Sequence, residues 1–121
     1  MSTTTIPTTS VEACRLDALT PERGVAVVVD GVRVALFRVV GGSAGAGGDE
    51  VLAVDHVDPF TGVAVLARGL VGSVGERLVV ISPLHKQRFD LRTGECLDDP
   101  DVVLRTWRTH VVDGVVHVES R

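Results

Sequence analysis

Two short segments hold side chains that could bind a metal ion. DHVDPFTG contains Asp55, His56 and Asp58, and SPLHKQRFD contains His85. Carboxylates and imidazoles bind iron and zinc, so a mononuclear site of His85 with one or more of the other three is one interpretation. Such a site needs at least three convergent ligands with supporting hydrogen bonds. We favour the alternative, in which His85 is exposed on a loop or bonded to a backbone carbonyl, and expect no metal site.

Sulfur ligands are scarce in this chain. It has two cysteines, Cys14 and Cys96, which stand far apart in the sequence, and it has no Cys-x-x-Cys pair. Two sulfurs cannot form a four-thiolate zinc or iron–sulfur site. The sequence also lacks a GxGxxG nucleotide-binding motif and the arrangement of a catalytic triad. The chain therefore offers no redox equipment of its own.

Charge and hydropathy exclude several classes of partner. The net charge is −4 and the pI about 5.5, whereas non-specific nucleic-acid binding needs a basic surface. No apolar stretch approaches the roughly 20 residues of a membrane span. The first residues, MSTTTIPTTS, lack the basic and apolar regions of a secretory signal. We expect a reduced, cytoplasmic protein that binds neither nucleic acid nor membrane.

The elements that must position these loops are strands. VAVVVDGVRVALFRVV places Asp30-Gly31 between two β-branched runs, which predicts a tight hairpin, and Asp113-Gly114 predicts a second one. The alternation in residues 32–36 predicts a strand with one buried face. Further strands are expected near residues 51–54 and 78–81 and at RFDL, with an irregular segment between the first two. No helical period extends over 12 residues, so the pattern predicts a small all-β sandwich or barrel.

Length and low-complexity segments define the domain organisation. A chain of 121 residues predicts one domain. Residues 1–10 are rich in threonine and serine and are predicted to be a disordered tail. Residues 41–48 are rich in glycine and are expected to lengthen a hairpin loop without a function of their own. The folded domain is therefore predicted over residues 11–121.

At the two loops the sequence resembles Rieske-type ferredoxin domains. In that family one loop carries Cys-x-His, and the next carries Cys-Pro-x-His-Gly followed by phenylalanine, aspartate and a Thr-Gly turn. Here the second loop reads Ser-Pro-Leu-His-Lys, followed by Phe-Asp-Leu and Thr93-Gly94, and Asp-Pro-Phe matches the first loop. The resemblance implies an antiparallel Rieske-like sandwich with a loop-rich, cluster-type subdomain at about residues 55–94.

The resemblance also assigns the four ligand positions. The cysteine positions hold Asp58 and Ser82, the histidine positions hold Phe60 and His85, and Lys86 replaces the usual glycine. A Rieske [2Fe–2S] cluster needs two thiolates and two imidazoles, so we expect no cluster here. Instead, we expect Asp58 and Ser82 to tether the loops as turn residues. Phe60 is expected to fill the vacated space, so that its truncation would cost about 3 kcal/mol.

The combination of DPF with SPLHKQRFDL is more specific and resembles the small subunit of assimilatory NAD(P)H-dependent nitrite reductase. This resemblance covers about residues 11–118. It implies a partner, the large subunit, which would carry FAD, an iron–sulfur cluster and sirohaem and reduce nitrite to ammonium. We expect this chain to be part of an oxidoreductase only as a non-catalytic, structural or docking subunit without cofactors.

Three further hypotheses accompany this interpretation. The basic residues Lys86, Arg88 and Arg68 could form a docking patch for the large subunit or could be ordinary solvated charges. The chain could instead be a ferredoxin-like electron carrier with a degenerate or mononuclear metal site. It could also be a free-standing binding module of another oxygenase or reductase.

Overall fold

Short valine-rich segments separated by tight turns form ten strands in the described part of the chain. The computed structural model describes residues 10–40 and 49–119. The strands are β1 (Ser10–Arg15), β2 (Gly24–Val29), β3 (Val32–Val39), β4 (Glu50–Asp55), β5 (Leu70–Val74), β6 (Arg77–Ile81), β7 (Arg88–Asp90), β8 (Thr106–Trp107), β9 (Thr109–Val112) and β10 (Val115–Glu119). Two single 3₁₀ turns occupy Leu16–Ala18 and Leu66–Arg68, and neither is long enough to cross a membrane.

Both predicted Asp-Gly hairpins are confirmed. Asp30 and Gly31 have φ angles of 50° and 79°, and Asp113 and Gly114 have 52° and 76°. Positive φ at both central residues is the signature of the type I′ turn, whose twist matches that of the strands it joins. The first turn joins β2 to β3 and the second joins β9 to β10.

Two of the predicted segments lie at the limits of the residues that the structure describes. The predicted tail extends one residue too far, because Ser10 already pairs with Glu119 as the first residue of β1. Residues 1–9 and the glycine-rich residues 41–48 lie outside the described part of the chain.

One strand was missed in the sequence, within the segment predicted to be irregular. β5 pairs antiparallel with β6 through a two-residue turn in which Gly75 has a φ of 60°. The glycines at positions 69, 72 and 75 weakened the strand pattern, because glycine is unfavourable in strands. Pairing with β6 supplies the backbone hydrogen bonds that outweigh this intrinsic preference.

The strands form three antiparallel sheets, of which the four-stranded one lies in the middle. Its order is β2-β3-β4-β8, and it is flanked by sheets of order β1-β10-β9 and β5-β6-β7. Ala35 and Phe37 pack into the core shared with the β5-β6-β7 sheet. Val34 and Leu36 pack into the core on the β1-β10-β9 side. The fold is therefore all-β and antiparallel, as predicted.

The prediction of one buried face for β3 is wrong. Residues 34–37 are all fully buried, so consecutive side chains enter opposite cores. An alternating pattern arises where one face meets water. Here a third sheet covers the second face, which the local sequence could not reveal. This third sheet, β5-β6-β7, also carries the two loops that form the candidate site.

Candidate functional site

The candidate site is formed by two loops next to the β5-β6-β7 sheet. Loop 1, residues 56–69, connects β4 to β5, and loop 2, residues 82–87, connects β6 to β7. In loop 1 the Asp58 N–H donates to the Val63 carbonyl at 2.8 Å, and the Gly62 N–H donates to the Asp58 carbonyl at 2.7 Å. In loop 2 the Ser82 N–H donates to the Gln87 carbonyl at 2.9 Å. Each loop is therefore closed by its own backbone around Asp58 or Ser82, the positions at which the resemblance to Rieske domains places cysteines.

A hydrogen bond between side chains joins the two loops. The Ser82 hydroxyl donates to Asp58 Oδ2 at 2.6 Å, and both residues are fully buried. The other carboxylate oxygen, Oδ1, accepts the Phe60 N–H at 2.8 Å. Both oxygens of the buried carboxyl group thus have a donor, as burial of such a group requires. The expected polar tether therefore has a direct geometric basis.

The residues at these positions do not fit a [2Fe–2S] cluster. Asp58 and Ser82 supply oxygen atoms that already bond each other, and the Phe60 ring has no atom that could ligate iron. The two cysteine sulfurs of the chain lie elsewhere, with Cys14 in β1 and Cys96 in the core next to Phe89. Of the two thiolates and two imidazoles that a Rieske cluster needs, these four positions supply only the imidazole of His85.

The side chains considered for a mononuclear site do not converge. Asp55 accepts from Arg105 Nε at 2.9 Å, the carboxyl group of Asp58 is occupied as described, and His85 is exposed. Within residues 10–40 and 49–119 no group of three or more histidine, cysteine or acidic residues could hold a metal ion. Each candidate ligand instead has a local structural role or faces solvent.

His56 is buried at the start of loop 1 and accepts hydrogen bonds from later residues of that loop. Its Nδ1 accepts the Ala67 N–H at 3.1 Å, and its carbonyl accepts the N–H groups of Val65 and Leu66, each at 3.0 Å. Burial lowers the pKa of the imidazole, and the positive charges of Arg33 and Arg68 lower it further. A neutral ring is needed because Nδ1 acts as an acceptor. His56 was one candidate ligand of a mononuclear site that the sequence did not favour, and in the structure its Nδ1 accepts a backbone N–H.

Phe60 does not fill a buried space, so that expectation is wrong. Its side chain stays 37% exposed at the loop surface. One side of the ring contacts Phe89, with centroids 6.1 Å apart and planes tilted by 46°. The fully buried ring of this pair is that of Phe89, on β7. Phe60 therefore covers the core from outside.

The motif after loop 2 forms a tightly bonded turn. Asp90 Oδ1 accepts the N–H groups of Arg92 at 2.7 Å and Thr93 at 3.0 Å, while Oδ2 accepts from Arg77 at 2.8 Å. Burial by itself would raise the pKa of Asp90, but these hydrogen bonds outweigh it and lower the pKa. Gly94 completes the turn with a φ of 82°. The aspartate and the Thr-Gly turn thus fix the chain directly after loop 2.

The three basic residues considered for docking differ in their surroundings. Arg88 is engaged within the chain, since its guanidinium donates to both oxygens of Asp98. Lys86 and Arg68 are exposed, and within the described ranges neither forms an ion pair with an acidic side chain. Lys86 also has a φ of 65°, in the left-handed region that favours glycine. The three residues therefore do not form one uniform basic patch.

Several exposed apolar residues on the loops were not singled out in the sequence. Val57, Val63 and Leu84 are 37%, 46% and 43% exposed, close to the value for Phe60. In HVDPFTGVAV apolar and polar residues do not alternate regularly. The sequence by itself therefore did not indicate whether these side chains are buried or exposed. An open cavity of about 580 Å³, lined by residues such as Leu52, Trp107 and Arg108, includes none of these loop residues.

Comparison with known proteins places this geometry in context. The family model of the Rieske-like [2Fe-2S] domain matches residues 9–119. The nitrite reductase (NADH) small subunit of Escherichia coli K12 is 36% identical over 109 residues, which are 90% of this chain and 95% of that protein. A crystal structure from Mycobacterium tuberculosis, provisionally named an NADH-dependent nitrite reductase small subunit, has a TM-score of 0.82 and 44% identity. This match covers 93% of this chain and 95% of the other.

A third relative has a different organisation. The nitrite reductase NAD(P)H large subunit of Klebsiella oxytoca is 38% identical to this chain over 108 residues. The match covers 89% of this chain but 10% of that protein. A segment homologous to most of this chain is therefore part of a much longer polypeptide in that organism.

Proposed function

This chain belongs to the Rieske-like [2Fe-2S] domain family, among the nitrite reductase small subunits, and from that premise we propose that it is a non-catalytic subunit of an NAD(P)H nitrite reductase. Its role in the complex is to dock onto and support the large subunit. The large subunit carries the flavin, iron–sulfur and sirohaem groups that pass electrons from reduced nicotinamide to nitrite. The complex works in the cytoplasm, in nitrate and nitrite assimilation.

The observation that carries this proposal is the hydrogen bond between Ser82 and Asp58. In a Rieske domain the two loops are held together by the cluster that both of them ligate. Here a 2.6 Å bond between oxygen atoms joins the loops, and no thiolate stands at either position. The fold thus keeps its loop architecture without the ligand set for electron transfer. A chain of this kind contributes shape and binding surface, while the cofactors of the partner supply the chemistry.

The partnership with a large subunit is supported by two of the relatives. The Escherichia coli protein is named as a small subunit, which implies a larger companion. In Klebsiella oxytoca the homologous segment lies within a protein named as the large subunit itself. A domain that is a separate chain in one organism and part of its companion's chain in another fits a stable association of the two.

The decisive test is recovery of the partner with this chain. The chain would be tagged, expressed in its own host grown on nitrate, and purified under mild conditions. We expect a protein with the visible absorption of sirohaem to co-purify, and the eluate to reduce nitrite with NADH or NADPH. Elution of this chain without any sirohaem protein would contradict the proposal.

A second measurement separates this function from the electron-carrier hypothesis. The chain purified by itself would be analysed for iron and acid-labile sulfide, and its visible spectrum would be recorded. We expect a colourless protein with no stoichiometric iron. One or two irons per chain, with a visible absorption that bleaches on reduction, would support an electron carrier instead.

A further inference from the structure

Four large apolar side chains are exposed on the two loops. We call Val57, Phe60, Val63 and Leu84 the loop-tip patch. Val57 and Phe60 lie within two positions of Asp58, Val63 accepts the Asp58 N–H, and the Leu84 N–H points to Ser82 Oγ at 3.4 Å. The backbones of all four residues thus lie near the buried hydrogen bond between Ser82 and Asp58. Isolated exposed apolar residues are normal on a protein surface, whereas a group of them marks a binding surface.

The charge of the loop tips differs from that of the whole chain. The net charge of the chain is −4. In contrast, the segments 57–64 and 83–87 contain a single carboxyl group, that of Asp58, which is fully buried. Lys86 is the one exposed lysine or arginine in these segments, where His85 is also exposed. The patch is therefore apolar, bordered by a cation, and without an exposed carboxylate.

Lys86 is held in a backbone conformation that a lysine adopts at a cost. Its φ of 65° belongs to the left-handed region, where a side chain with a Cβ is strained and glycine is not. Its N–H donates to the Ser82 carbonyl at 3.1 Å, which fixes the conformation of the loop. Glycine would fit this backbone with less strain, so the presence of lysine points to a use for its ammonium group.

The patch is also preorganised for binding. The Ser82 hydroxyl joins loop 2 to Asp58, and the Phe60 ring rests on Phe89 of β7. Loops that are already ordered lose little conformational entropy on association. An exposed aromatic ring with one supported side is a suitable central contact of an interface.

We propose that the loop-tip patch, with Lys86 at its border, is the surface that docks onto the large subunit. This inference rests on the proposed function and specifies its contact surface. In Klebsiella oxytoca the homologous segment is covalently part of the large subunit, where a tether supplies a high effective concentration. The Escherichia coli small subunit, of which the match covers 95%, has no such tether, so its affinity for a large subunit must come from contact surface.

The test uses purified large subunit and this chain with charge substitutions in the patch. Val63→Glu and Leu84→Glu place a charge where the interface is expected to exclude water, so each should weaken binding at least about tenfold. Val111→Glu is the matched control, because Val111 on β9 is a strand valine with 40% exposure in the sheet on the opposite side of the fold. The affinity of the Val111→Glu variant for the large subunit should stay within about twofold of that of the unsubstituted chain.

Lys86→Gly separates binding from folding. Removal of the strained lysine should leave the Tm unchanged or raise it, whereas the affinity for the large subunit should fall severalfold. A merely structural role of Lys86 would not produce this combination. An unchanged affinity of the Lys86→Gly variant for the large subunit would show that Lys86 is not part of the interface.

The remaining outcomes distinguish the two proposals. If the unsubstituted chain binds the large subunit and both patch variants bind equally well, the docking surface lies elsewhere and only this inference fails. If the patch variants lose self-association instead, the occupant is a second copy of the chain and the inference is wrong. If the unsubstituted chain and the Val111→Glu control both fail to bind, the proposed function fails as well.

Discussion

Ser82 Oγ lies 2.6 Å from Asp58 Oδ2 across 24 positions of sequence, and both side chains are fully buried. These are the two positions at which the resemblance to Rieske domains places cysteines. A hydrogen bond between a hydroxyl and a carboxyl oxygen is short and directional, so it can fix the separation of two loops. A hydrogen bond between oxygen atoms thus joins the two loops at the positions where a Rieske domain has cysteines.

Ser82→Ala should destabilise the fold by about 2 kcal/mol. The substitution removes the hydroxyl donor and leaves Asp58 Oδ2 buried without a partner, which costs more than the net value of an ordinary hydrogen bond. The free energy of unfolding would be measured by urea denaturation. Ser73→Ala on β5 is the control, because Ser73 is exposed, and it should change stability by less than about 0.5 kcal/mol. Equal losses of unfolding free energy in the two variants would show that the buried hydrogen bond stabilises the fold no more than an exposed serine hydroxyl does.

Phe60→Ala and Phe89→Ala should differ strongly in stability. The Phe60 ring is 37% exposed and covers the core from outside, so its truncation should cost about 1 kcal/mol. Phe89 is fully buried, and its truncation leaves a cavity that should cost about 3 to 5 kcal/mol. The same denaturation experiment on both variants tests this order. A loss for Phe60→Ala as large as that for Phe89→Ala would restore the idea of a buried, space-filling Phe60.

Gly94→Ala should be much more damaging than Gly62→Ala, although both glycines have positive φ. Gly62 has a φ of 75° and open space around it, so alanine there should cost about 1 kcal/mol from backbone strain alone. At Gly94, with a φ of 82°, an added Cβ would lie 2.1 Å from the Leu104 carbonyl oxygen. Because the Leu104 backbone cannot move away without disrupting the fold, the loss of stability should reach about 3 kcal/mol or more. Thermal unfolding of the two variants would show different Tm values, and similar values would contradict the close approach.

Stability should depend on pH through His56. Burial, with Arg33 and Arg68, lowers the pKa of the folded imidazole, whereas the unfolded chain has the ordinary value near ~6.5. Between these two pKa values the unfolded state binds more protons, so this contribution to stability declines as the pH falls below about 6.5 and is complete above it.

The matched variants for this prediction are His56→Gln and His85→Gln. His56→Gln keeps an acceptor for the Ala67 N–H and should flatten the dependence of the free energy of unfolding on pH below about 6.5. His85→Gln changes an exposed histidine of loop 2 and should retain the slope of the unsubstituted chain. The same slope for all three proteins would assign the pH dependence to other groups.

Local features of the fold could be predicted because their cause is local. The Asp-Gly turns need positive φ at two adjacent residues, and aspartate followed by glycine is a pair of residue types that adopts this conformation in hairpins. The second buried face of β3 could not be predicted, because it depends on a sheet formed by residues 70–90. β5 was missed for a related reason, since its pairing with β6 overrides the unfavourable glycines.

The candidate site shows the same division. The resemblance to Rieske domains assigned the four ligand positions, and the residue types there include no thiolate and one imidazole, His85, because donor chemistry belongs to the side chain and not to its surroundings. Only the tertiary structure decided that Asp58 and Ser82 bond each other, that His56 accepts the Ala67 N–H, and that Phe60 stays at the surface above Phe89. Distance and burial are properties of contacts between loops far apart in sequence, and those contacts form only when the sheets pack.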